Sequence, residues 1–267
     1  MPTPALVSPS PSASFRSLVL PREHGSWALA LEPVALGLLV APSAAGAWLG
    51  TAVTAGFLAR RPLKLALTLS PDEPRRLGAA QWAAVLAAVA LAALFQAGLT
   101  AGTGALWPLL LSVPFGAAFL WFDLRHAMRE AEAELCGSIA FAFTPAAFAV
   151  LDGWAAGPAL ALAALMLTRS APTVLTVRAY LRMAKKQAAS AWPALAAALG
   201  FLAGLAGLQA AGLLPFAAVA LGALLALRSA WLLSRFAPKW SARRVGFGEA
   251  LLGLLFLAAA ALAYRGQ

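Results

Sequence analysis

Long apolar runs recur along this chain from residue 26 to residue 264, and no polar stretch between them is long enough for a soluble domain. Such a chain must satisfy its backbone hydrogen bonds within the membrane-embedded structure itself, which leaves helices or a closed barrel. The runs are built from Ala, Leu and Gly and do not alternate apolar with polar residues, so a barrel is excluded. With 62% hydrophobic and only 11% charged residues, the composition lies far outside that of soluble domains. The expected fold is all-α, a polytopic transmembrane helical bundle.

Bounding the runs by charges and turn residues gives nine spans, at 26–41, 46–59, 78–98, 105–122, 135–151, 157–171, 191–208, 212–233 and 246–264. Several are shorter than the ~20 residues of a perpendicular span, so helices are expected to extend into charged flanks or to tilt. Residues 1–15, "MPTPALVSPSPSASF", are Pro/Ser-rich without an apolar core. They read as a disordered tail ahead of one transmembrane domain over 16–267. The single Cys136 excludes an internal disulfide and a cysteine-cluster metal site.

The cations orient the bundle. Nineteen of the twenty Lys and Arg residues fall in alternate connections or at their edges, and only Arg265 lies on the other side. By the positive-inside rule the charged face and the N-terminus are cytoplasmic and the C-terminus is outside. The net charge of +10 is therefore a topology signal, and no nucleic-acid partner is expected.

Against that background some polar groups stand out. The stretch "LPREHGSWALALEPVALGLLV" opens with Arg22, Glu23, His24 and Trp27 and carries Glu32 within its apolar run. A charge at mid-membrane costs ~2.5–3.5 kcal/mol on insertion scales, so Glu32 needs a partner or a proton. It reads equally as an interhelical structural contact and as a site residue. Glu249 is the other deep acid, with Arg243 and Arg244 its expected partners. In "FDLRHAMREAEAELCGS", Asp123, His126, Glu130 and Glu134 form one stripe if the segment is a helix. Asp123, His126 and Glu130 then make a carboxylate–imidazole set for a divalent cation, against the plainer alternative of a solvated helix laced by Arg–Glu pairs. In "LTRSAPTVLTVRAYLRMAKKQ", Arg169, Arg178 and Arg182 follow the sixth span, and in "ARRP" Arg60 and Arg61 follow the second. Arginine suits phosphate or carboxylate recognition, and also contact with anionic lipid headgroups.

"LPREHGSWALALEPVALGLL" resembles the opening signature of the YwiC-like family of bacterial membrane proteins, with "FLARRPLKLAL" and "RAYLRMAKKQ" at its later basic segments. The resemblance implies a bacterial inner-membrane location and no known biochemical role. More remotely, nine helices with a charged cytoplasmic face look like the UbiA superfamily of intramembrane prenyltransferases, which hold Mg²⁺ and an isoprenyl diphosphate on two Asp-rich motifs. The corresponding stretches here, "ARRPLKLALTLSPDEP" and "TVRAYLRMAKKQ", carry Arg60, Arg61 and Lys64, and Arg178, Arg182 and Lys185. That resemblance thus implies a UbiA-like bundle without the metal clamp, in which arginines bind an anion directly. No cofactor is expected.

The reading taken from these residues is a cytoplasm-facing pocket for an isoprenoid or other lipid with an anionic head. Glu23, His24 and Glu32 would counterbalance the arginines, and Trp27 would form part of the wall. A small-anion transporter or channel and a membrane-complex assembly factor are the alternatives. Residue patterns leave open whether binding is followed by catalysis.

Overall fold

The structure, a computed structural model, describes residues 15–21, 24–125, 127, 128 and 130–265, apart from the side chains of 24–26. A short helix α1 (Phe15–Leu18) leads into α2 (His24–Val40), α3 (Ala44–Thr68), α4 (Pro74–Ala101) and α5 (Trp107–Leu124). These are followed by α6 (Ala131–Leu151), α7 (Ala156–Ala184), α8 (Trp192–Ala210), α9 (Phe216–Leu232) and α10 (Ala242–Arg265). A single 3₁₀ turn, Thr103–Leu106, enters α5, and no strand occurs among the described residues.

Six stretches, 74–101, 103–124, 131–151, 156–184, 192–210 and 242–265, are long and apolar enough to cross a membrane. The apolar parts of α2 (Trp27–Val40) and α9 are shorter, while α3 has the length but carries Arg60, Arg61 and Lys64 in its second half. Helices do extend into the charged flanks: α3 reaches Thr68 and α7 reaches Ala184, well beyond residues 59 and 171. At 1.5 Å per residue α7 is about 43 Å long, more than a ~30 Å hydrocarbon layer requires, and its last turns carry the cations. Arg178 and Arg182 are therefore helical residues rather than loop residues.

One expectation fails. The stripe from Asp123 to Glu134 needs a single helix, but α5 ends at Leu124 and α6 begins at Ala131. The chain must reverse there for α5 to pack beside α6, and the polar segment takes that turn, with Ala127 N–H donating to the Phe122 carbonyl. Asp123 and Glu134 consequently belong to different helices.

Most helices pack beside the next in sequence, and α2 packs against α6 and α10, so that the first and last long helices meet. The inner members are α6 and α7: 56% of the apolar stretch of each is buried, against 11% for α5. Phe148 of α6 is fully buried at the centre of the largest apolar cluster. Its ring lies so close to Gly37 of α2 that a Cβ there would stand 2.8 Å from the Phe148 Cβ. Absence of a side chain at position 37 is what lets α2 reach the core, the usual role of small residues between membrane helices.

Candidate functional site

Glu32 answers to Arg169. Arg169, on the inner helix α7 with a side chain 4% exposed, places Nη2 3.2 Å from Glu32 Oε1 of α2 and 2.9 Å from the Glu249 carbonyl of α10. Its Nη1 lies 3.0 Å from Thr173 Oγ1 and 3.5 Å from Glu249 Oε2. The other Glu249 oxygen accepts from Arg228 Nη2 of α9. Two acids and two arginines from four helices thus form one formally neutral network around the buried Arg169. In a low-dielectric interior, paired charges with further hydrogen bonds avoid the penalty an isolated charge would incur.

The backbone makes room for this network. A Cβ on Gly253 would stand 2.8 Å from the Glu32 carboxyl carbon and 3.0 Å from Arg169 Nη2, so only glycine admits the pair against α10. Pro33 follows Glu32, and Pro172 comes one turn after Arg169. Neither proline has an N–H, so the carbonyls of Leu29 and Thr168 lose their helical partners beside the charged residues.

A second cluster joins α3 to α5. Asp123 is 3.1 Å from Arg60 Nε and 2.8 Å from Lys64 Nζ. The Arg60 guanidinium also lies over the rings of Phe57 and Phe119, at 5.6 and 5.1 Å from their centroids. It borders a cavity of about 340 Å³ between α3, α5 and α6. The remaining walls are mostly apolar, from Phe57, Phe119 and Phe141 to Leu109 and Leu120. Ser112 also lines it, and its hydroxyl has no hydrogen-bond partner among the described residues. Val113 and Leu120 on the rim are 60% and 41% exposed, which opens the cavity sideways from the bundle. Trp27 packs edge-on against Phe57 at 5.6 Å, backing this wall.

The third cluster is a half-exposed pair, Arg178 Nη1 to Glu134 Oε1 at 3.2 Å, between α7 and α6. Arg61 instead clamps α1, its Nη2 donating to the Ser17 carbonyl at 2.6 Å and its Nη1 to that of Leu20. Arg182 and Glu130 are exposed. The expected residues are thus distributed over several clusters: Glu32 with Arg169, Arg60 with Asp123 and close to Trp27, and Arg178 with Glu134. Arg22, Glu23, His126 and the His24 side chain lie outside the described residues. Among the described residues no group of three His, Cys, Asp or Glu side chains is placed to hold a metal ion, and Asp123 is engaged by two cations.

Sequence reasoning missed Arg228 and Gly253 and gave Glu249 the wrong partners. Arg243 and Arg244 are neighbours in sequence but exposed, and the Arg243 guanidinium stacks 5.8 Å from the Phe247 ring. Arg228 did carry a signal, since it is a lone cation within the apolar run "LGALLALRSAWLL".

No curated protein and no solved structure matches the chain. Residues 20–149, a stretch that holds Trp27, Glu32, Arg60, Arg61 and Asp123, match the family described as YwiC-like protein, and in that part the chain is similar to the family.

Proposed function

We propose that this membrane protein holds a lipid with an anionic head, such as an isoprenyl phosphate, in the cavity between α3, α5 and α6. The observation that carries this reading is an elongated, sideways-opening apolar cavity with a guanidinium at one end. From Leu109 to Leu120 the α5 wall rises about 16 Å, long enough for a chain of a dozen or so carbons. Arg60 and Lys64 against Asp123 leave one net positive charge at that end, and charge-assisted hydrogen bonds from such groups recognise phosphate. The opening between helices suits a ligand that enters from the bilayer.

The reading takes the bundle to have nine spans, since each expected run overlaps one of the helices α2 to α10 and most successive helices pack side by side. With the cation-rich end inside, the N-terminus is cytoplasmic, the C-terminus is outside, and Arg60 lies toward the cytoplasmic leaflet of a bacterial inner membrane. A helix count of nine is also the ground for a UbiA-like bundle that binds without the superfamily's Mg²⁺ motifs.

Gly116 provides the test, because it lines the cavity and a Cβ there meets nothing within 4 Å. Purified protein incubated with a polyprenyl monophosphate is examined by native mass spectrometry. The reading expects a retained lipid that Gly116→Leu displaces and that Arg60→Gln weakens about tenfold, the size of a charged hydrogen bond. Equal retention by wild type and Gly116→Leu overturns it. Lipid-independent uptake of phosphate into protein-containing liposomes would favour the transporter instead.

A further inference from the structure

A second cleft, of about 270 Å³, lies between α9 and α10 and is lined by the Arg228–Glu249 pair together with otherwise apolar side chains. Trp231 and Trp240, ring centroids 5.6 Å apart, stand at one end of it. Leu251 and Leu255 on its walls are 60% and 59% exposed, so the cleft faces the surroundings of the bundle. This feature is separate from the α3–α5–α6 cavity and shares no lining residue with it.

An ion pair beneath an opening in the hydrocarbon region is costly unless a polar group covers it. Arg228 gives Nη2 to Glu249, while its buried Nη1 has no hydrogen-bond partner among the described residues. Glu249 already receives both Arg228 and Arg169, so the group left unmet at this pair is a donor, which calls for an acceptor. Because its two acids and two arginines balance, an anion placed there would add an uncompensated charge, whereas a neutral acceptor adds none.

Depth narrows the choice further. Tryptophans gather at the membrane interface, and Arg228 sits about one helical turn, some 5 Å, deeper than Trp231 and Leu232. That is where the ester carbonyls of glycerolipids lie, between headgroup and acyl chains. We infer that the α9–α10 cleft seats one ester-linked glycerolipid, an ester carbonyl accepting from the Arg228 guanidinium and an acyl chain lying along Leu251, Leu252 and Leu255.

Two probes test this on the full-length protein in detergent: dioleoyl phosphatidylethanolamine and its dialkyl ether analogue, which has the same head and chains but no carbonyl. Native mass spectrometry is expected to show the ester lipid retained about fivefold more than the ether, the effect of one net hydrogen bond. Gly248→Leu fills the cleft while leaving Arg228 and Glu249 unchanged, since a Cβ at position 248 meets nothing within 4 Å beyond its own chain neighbours. It should abolish that difference, and Gly116→Leu in the other cavity should leave it intact. Equal retention of ester and ether, or a preference that survives Gly248→Leu, overturns the assignment.

Discussion

Arg169 and Arg178 lie on the same helix and each faces a glutamate, yet their surroundings predict opposite consequences of removal. Arg169 is 4% exposed and holds Glu32, Glu249 and Thr173, so Arg169→Ala leaves two largely shielded acids short of a partner. We expect a loss of about 3–5 kcal/mol, read as a large drop in thermal stability in detergent. Arg178 and Glu134 are 29% and 38% exposed, and Arg178→Ala should cost less than about 1 kcal/mol in the same assay. A comparable loss for both variants would refute the ranking. Gly253→Ala offers a finer test, because its methyl group must displace the Glu32 carboxylate. A destabilisation of about 1–3 kcal/mol is expected, relieved when Glu32 is also shortened to Ala.

At the scale of elements, α2 is held to the core by the fit of the Phe148 ring against Gly37 as well as by its one acid. Phe148→Ala should destabilise the bundle by about 3–5 kcal/mol, and Gly37→Val should do comparable damage by forcing α2 outward, both measured by denaturant titration in micelles. How far such elements can be read from the sequence depends on what each signal reports. The helices themselves were legible, since apolar runs and flanking charges act locally. Glu32 was legible as an anomaly because its cost does not depend on who its partner is. That partner was not legible: Arg169 lies on α7, which is not among the helices that α2 chiefly packs against, and nothing within α2 encodes it. Sequence neighbours misled for the same reason at Glu249, where α10 turns Arg243 and Arg244 outward while Arg169 and Arg228 arrive from other helices. The turn between α5 and α6 escaped because charged residues at helical spacing look the same in a helix and across a reversal.

For the whole molecule, the distribution of charge predicts its sidedness. Cys136 is the only cysteine, so in a Cys136→Ser background single cysteines introduced at Lys239 and at Gly212 report opposite faces. Position 239 should react with a membrane-impermeant maleimide only after cells are opened, and position 212 in intact cells; the reverse pattern would invert the orientation. The meeting of α2 with α10 has a temporal consequence as well. Ribosomes deliver Arg169 and Arg228 to the membrane before Glu249 exists, so during synthesis Glu32 is the network's one acid for two guanidiniums. Completion of the polypeptide is then a checkpoint: chains halted ahead of residue 242 would leave one arginine of the network unneutralised and should be cleared by proteolysis far faster than the finished product.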